Sequence, residues 1–296
     1  MTEIEWGAKI YLEMWLGGMA AGAYFSAFLF ERFTGETNKR LLRMATFMAI
    51  PLIAAALLLA LLDLANMFNF WRILVAVEPL SPVWVGVWLL QPFIGIAMIM
   101  AVLWIVENRR AERASPNLRR MIDVLSWINF VVAGVLMAYS GVLLSGSNVP
   151  AWASTPLLSP VFVAGGAATG VALLVFTALT YRGNWEIPSQ MVSRLAGVLP
   201  VLIVILLALL GGYFFLLGGS PMAGTDEALK VITTGSLAIP FWIMLAAFLV
   251  SIGLVVAARG KEIEKAAVRS SLILSSVCVI LGGLLLRAII ILGGQL

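Results

Sequence analysis

Residues 45–68 read ATFMAIPLIAAALLLALLDLANMF. From Ala45 to Leu62 no side chain is charged over 18 residues. A helix rises ~1.5 Å per residue, so such a run covers most of ~30 Å of hydrocarbon. Inside lipid every backbone N–H and C=O needs a partner within the protein, and a helix supplies one. The stretch reads as a membrane-spanning helix with one acid, Asp63, a turn or so before its end.

Working outward, seven more apolar runs appear, at roughly residues 10–30, 84–106, 122–145, 159–180, 195–217, 236–258 and 271–293. The expectation is an all-α integral membrane protein with eight transmembrane helices. Composition agrees: 62% of residues are apolar and 11% charged, where a soluble domain carries ~25% charged. Lipid must act as solvent for most of this surface. The net charge of +4 does not point to nucleic acid, because the basic residues sit in short loops. The first run begins beside Glu3 and Glu5 with no basic segment, so it reads as a span and not as a cleavable signal peptide.

Loop charge sets the orientation. Arg32, Lys39, Arg40 and Arg43 follow the first run, and Arg109, Arg110, Arg113, Arg119 and Arg120 follow the third. Arg182 and Arg194 follow the fifth, and Arg259, Lys261, Lys265 and Arg269 the seventh. These are 15 of the 19 basic residues, all on one side. The positive-inside rule makes that side cytoplasmic and puts both termini outside a prokaryotic cell membrane. The outer loops 67–83 and 146–160 are aromatic and nearly uncharged, which suits either an interfacial belt or a docked protein.

The chain also repeats at an offset of 148 residues. Residues 17–22, GGMAAG, match 165–170, GGAATG; residues 58–62, LLALL, match 206–210. Pro92-Phe93 matches Pro240-Phe241, and Gly134 and Gly146 match Gly282 and Gly294. Four helices per repeat keep both halves in one orientation. The expected architecture is two four-helix bundles, residues 1–148 and 149–296, related by an internal parallel repeat.

Ionisable groups in hydrocarbon are costly and need a partner or a function. Glu13 lies one turn past Lys9; Asp63, Tyr139 and Arg287 fall in other runs. By the alternation of directions all four lie in the outer half of the bilayer. Under the repeat Glu13 corresponds to Val161, Asp63 to Gly211 and Tyr139 to Arg287. Only the first half keeps the acids, so chemistry is expected there. Gln91, beside Pro92, is a further candidate donor, and Asn129 lies nearer the cytoplasm on a possible polar path inward. The plainer reading makes these groups packing elements: Lys9 paired with Glu13, and Asp63 with Arg72 or Arg287. The chain has no histidine and one cysteine, Cys278. Histidine-ligated haem, an iron–sulfur cluster and any histidine or cysteine metal site are therefore not expected in this chain.

Several segments carry a resemblance. WLGGMAAGAYF (15–25), LLDLANMFNFWRIL (61–74), PLSPVWVGVW (79–88), AYSGVLLSGSNVPAW (138–152) and GGLLLRAIIILGG (282–294) together resemble the NrfD-like family, membrane anchor subunits of the polysulfide and thiosulfate reductase type. The resemblance implies a subunit of an oxidoreductase that passes electrons between the quinone pool and an outward-facing, ferredoxin-like iron–sulfur subunit. That subunit serves a molybdopterin catalytic subunit in anaerobic respiration. It implies that Tyr139 and Glu13 line the head-group pocket of menaquinone or another quinone, and that Asp63 transfers protons beside it. Some relatives carry histidine near the position of Glu13, which this chain lacks. The chemistry suits the residues. Quinol oxidation releases two protons, for which Glu13 and Asp63 are acceptors, while Tyr139, Lys9 and Gln91 can bond the head group and Arg287 can offset negative charge. A secondary transporter, a proton-translocating membrane protein and a purely structural anchor are the competing expectations.

Overall fold

The computed structural model describes residues 7–35, 39–64, 68, 70–75, 82–109, 116–181 and 187–295. Glu3, Glu5, Arg110, Arg113, Arg182 and much of the 67–83 loop lie outside the described residues. The described residues are helical, with no strand among them. Eight helices are 21–30 residues long: α1 (Ala8–Thr34), α2 (Arg40–Asp63), α4 (Pro82–Arg109), α5 (Pro116–Ser145), α7 (Leu158–Thr180), α8 (Ser189–Gly218), α10 (Ala238–Ala258) and α11 (Ala266–Gly293). Three short helices sit between them, α3 (Phe70–Val75), α6 (Pro150–Ala153) and α9 (Thr225–Thr233).

Seven of the long helices, all except α1, are long and apolar enough to cross a membrane. The exception follows from position. α1 packs against α2, α5, α7 and α11, and its stretch from Gly17 to Tyr24 is buried. A helix wrapped by protein needs small side chains more than lipophilic ones, and α1 carries mostly glycine and alanine there, with Lys9 and Glu13 one to two turns before it. α7 holds the matching place, against α1, α5, α8 and α11, and is buried almost throughout. At their crossing a Cβ on Gly22 would collide with the Gly166 carbonyl, and one on Gly170 with the Gly22 backbone. Backbone contact of this closeness tolerates only glycine.

The outer helices carry large apolar side chains to the periphery, among them Val131, Val201, Phe215, Ile239 and Leu249. α4 bridges α2 and α5, as α10 bridges α8 and α11. Several helices run past the apolar windows at their basic ends: α5 starts at Pro116, α8 at Ser189 and α11 at Ala266. Arginine, lysine and alanine are good helix formers, so loss of hydrophobicity there does not end the helix. The second apolar run extends to residue 68, but α2 stops at Asp63, where Leu64 turns to extended backbone.

The basic ends of α1, α2, α4 and α5 are clamped together. Glu31, buried, accepts the Leu42 N–H at 2.9 Å and so serves the open N-terminus of α2, a favourable place for an acid. Arg43 donates to Glu107 at 3.1 Å, Arg119 lies 3.7 Å from the same carboxylate, and Lys39 pairs with Asp123. At the opposite end Trp152 of α6 is buried and donates its indole N–H to Ile290 O at 2.8 Å. The 146–160 segment therefore folds back onto α11, and Trp152 is no free aromatic at a docking surface.

Candidate functional site

The site begins at Gly86, the one small residue in Trp84–Trp88 of α4. Tyr139 of α5 fills the space a side chain would take: a Cβ on Gly86 would collide with the Tyr139 hydroxyl. The phenol thus ends against backbone inside the group formed by α1, α4 and α5. Glu13 is half-buried on α1, the helix that packs against both α5 and α2. Asp63 is the last residue of α2, and its side chain is exposed. One hydroxyl and two carboxylates therefore stand on α5, α1 and α2, with Tyr139 and Glu13 half-buried and Asp63 exposed.

Lys9 lies one turn outward of Glu13 on α1. Its ammonium donates to Leu62 O at 2.8 Å and lies 3.7 Å from Asp63 Oδ1. The last carbonyls of a helix lack partners within it and welcome a cation. Among the described residues the pairing is Lys9 with Asp63, not Lys9 with Glu13. Both partners of the Lys9–Asp63 pair are well exposed, and such pairs contribute little to stability.

Gln91 is half-buried on α4, between the buried Leu90 and the exposed Pro92. It lies about one and a half turns inward of Gly86 and is not brought to Tyr139 by any contact among the described residues. Arg287 is placed elsewhere too. Its guanidinium lies where α1, α7 and α11 meet, packed against Gly18, with Nη1 3.4 Å from Gly283 O and the carbon of the guanidinium 5.4 Å from the centre of the Phe162 ring. Its Nε has no acceptor among the described residues. A buried cation over an aromatic face is partly compensated, and the absent side chain at Gly18 makes the room. Of the six residues singled out from the sequence, the structure brings together Lys9, Glu13, Asp63 and Tyr139, and sets Gln91 and Arg287 apart.

A second polar group lies deeper in the same four helices. The Tyr24 hydroxyl is 3.2 Å from Met100 Sδ and 3.4 Å from Ser126 O. The Asn129 side chain lies beside Tyr24, fully buried, with both its polar atoms outside hydrogen-bonding geometry. Sequence reading missed Tyr24, because a tyrosine among apolar residues reads equally as core, and missed Gly86, whose only signal was a gap among bulky neighbours. It also missed Trp84, whose buried indole N–H has no acceptor among the described residues. No three histidine, cysteine, aspartate or glutamate side chains gather among the described residues as a metal site requires.

Comparison with known proteins gives these positions a family. The chain is 25% identical over 258 residues to a polysulfide reductase chain of Wolinella succinogenes, covering 82% of this protein and 80% of that one. It is 28% identical over 200 residues to protein NrfD of Escherichia coli, 61% of each protein. To a selenate reductase subunit of Mesobacillus selenatarsenatis it is 22% identical over 309 aligned positions, 93% of this protein and 72% of the other. The sequence pattern described as polysulphide reductase, NrfD, matches residues 1–296. A multi-pass membrane protein matched from end to end, this chain belongs to the polysulphide reductase NrfD family.

Proposed function

We propose that this chain is the quinol-reactive membrane anchor of a respiratory oxidoreductase. It sits in a prokaryotic cell membrane with eight crossings and both termini outside. The single observation that carries the reading is the grouping of Tyr139, Glu13 and Asp63 on the packed helices α5, α1 and α2, two half-buried groups and an exposed carboxylate, with the Tyr139 hydroxyl against Gly86. A quinone head group has two carbonyl oxygens that accept hydrogen bonds, and its quinol two hydroxyls that must lose protons. Tyr139 is placed to donate to one oxygen, with Gly86 leaving room for the phenol. Glu13 is the nearest proton acceptor, and Asp63 connects it to water. The bound quinol supplies two electrons.

The electrons then leave to an iron–sulfur subunit on the outer face, and from it to a molybdopterin subunit. The names of the relatives from Wolinella and Mesobacillus, parts of polysulfide and selenate reductases, support such an assembly. The exposed Phe68, Trp71 and Val75 on and beside α3 suit the docking surface. The architecture is two four-helix bundles, residues 1–148 and 149–296, related by duplication. The neighbours support it: α1 with α2, α2 with α4, α4 with α5 and α1 with α5 have their counterparts in α7 with α8, α8 with α10, α10 with α11 and α7 with α11.

The test is quinol binding by the purified complex, read as quenching of a fluorescent quinol analogue. Wild type should quench and saturate; Tyr139→Phe with Glu13→Gln should weaken binding or turnover while the complex stays assembled. Wild-type quinol oxidation in that double variant would refute the site. Flux of a solute into vesicles carrying this chain alone would instead support transport.

A further inference from the structure

A second surface carries chemistry that quinol oxidation does not use. Where α1 ends and α5 begins, four aromatic side chains line the seam between the two helices. Phe25 lies over Gly134, where a Cβ would meet its ring at 3.4 Å. Phe25 stacks on Phe130 with ring centres 4.5 Å apart, and Phe28 stacks on the same ring at 4.6 Å. Trp127 stands edge-on to Phe28 at 4.7 Å and to Phe130 at 5.9 Å. The wall is open on the side away from the protein: Trp127 is 47% exposed. Val131 and Val135, one and two turns farther along the same face of α5, are exposed as well.

Arg32, in the last turn of α1, crowns this wall. Its guanidinium carbon lies 5.1 Å from the centre of the Trp127 ring and 5.8 Å from that of Phe28. It makes no hydrogen bond or ion pair among the described residues. The helix end does not require it, because the Gly35 N–H already donates to Glu31 O there. A guanidinium lying on an aromatic face keeps its N–H edge free, and that fork matches two oxygens of a phosphate. The described acids nearby are engaged elsewhere. Asp123 is paired with Lys39, and the buried Glu31 accepts the Leu42 N–H at 2.9 Å. Arg120, exposed one turn before Asp123 on α5, adds a further positive charge. Arg32 stands seven residues past Phe25, ~10 Å along the axis. The surface thus passes from cationic to aromatic to aliphatic along the helices, as a phospholipid passes from phosphate to acyl chain.

We propose that this seam binds one anionic phospholipid of the leaflet at the basic end of the helices. Its phosphodiester accepts hydrogen bonds from the free edge of Arg32, and one acyl chain runs over Trp127, Val131 and Val135. The headgroup carries no amine, since an ammonium or choline group would meet the field of Arg32, Lys39 and Arg120. A second copy of this chain on the same face would bring Arg32 against its own counterpart, an uncompensated meeting of like charges. The site is independent of the quinol pocket and stands whether or not the chain oxidises quinol.

The test is native mass spectrometry of the purified chain, stripped of lipid and then offered equal amounts of phosphatidylglycerol and phosphatidylcholine with the same acyl chains. Wild type should retain phosphatidylglycerol at least fivefold over phosphatidylcholine. Arg32→Gln should reduce that preference below twofold, with a lipid-free melting temperature unchanged from wild type. Arg194→Gln, which removes an exposed arginine at the same end but away from the wall, should keep the full preference. Added phosphatidylglycerol should raise the melting temperature of wild type and Arg194→Gln but not of Arg32→Gln. Millimolar inorganic phosphate should displace no lipid. Equal retention of both lipids by wild type, a result that needs no variant, would overturn the site. So would an undiminished preference in Arg32→Gln or displacement by inorganic phosphate. A wild-type dimer that Arg32→Gln dissolves would show that a second copy, not a lipid, covers the face.

Discussion

Tyr139 and Gly86 form the contact on which the site depends, and substitution separates their roles. Tyr139→Phe keeps the ring and removes one hydroxyl, a loss of ~1 kcal/mol and more if a carbonyl is left unpaired. Quinol turnover should fall several-fold with the fold intact, read by steady-state kinetics on the assembled complex. Gly86→Ala puts a methyl group where the hydroxyl now lies, so Tyr139 must rotate away and the loss should be at least as large. Equal activity in both variants would remove Tyr139 from the site. At this scale the sequence singles out Glu13, Asp63 and Tyr139 because polar groups stand out in apolar runs, and it assigns their depth from helix direction alone. Azimuth was not legible. Depth alone put Arg287 with the others, yet it faces Gly18 and Phe162 on another side of α1. Likewise the partner of Lys9 came from a helix end 53 residues away, which spacing along α1 cannot show.

Elements are held together by a few contacts whose removal has distinct signatures. The α1–α7 crossing has no room for a side chain at Gly22 or Gly170. Gly22→Leu should push the two helices apart and abolish a folded, monodisperse protein in detergent, while Gly197→Leu, open in the structure, should be tolerated. Normal size-exclusion behaviour of Gly22→Leu would show that the crossing can loosen. At the basic ends Glu107→Ala strips Arg43 and Arg119 of a shared partner. The pair with Arg43 is partly buried, so thermal stability should fall measurably, and Glu31→Ala, which orphans the Leu42 N–H, should cost ~1–3 kcal/mol. The helices themselves could be read from hydrophobicity, but not their ends, because the flanking basic segments are good helix formers. Nor could the short α6 be read: 146–160 looks like an open aromatic loop, and the Ile290 carbonyl and the space at Gly294 explain why Trp152 turns inward.

The whole molecule must face one way for the site to work as proposed, and its charge distribution is the physical cause. Lysine and arginine resist translocation, and the clamp of Arg43, Glu107, Arg119, Lys39 and Asp123 gathers at the end opposite Lys9 and Asp63. The α10–α11 turn carrying Lys261 and Lys265 belongs to the same end, since α11 and α5 both leave from it. The turn between α8 and α9, with Met222 exposed, belongs to the other. In a Cys278→Ser background, which removes the only native thiol, a cysteine at Met222 should react with an impermeant maleimide added to intact cells. A cysteine at Lys265 should react only after the cells are opened. Labelling of both from outside would break the alternation of spans. The reverse pattern would keep the spans but turn the Glu13–Asp63 end toward the cytoplasm, where an outward iron–sulfur partner could not reach it. The labelling therefore decides the side of the membrane on which the electrons must leave.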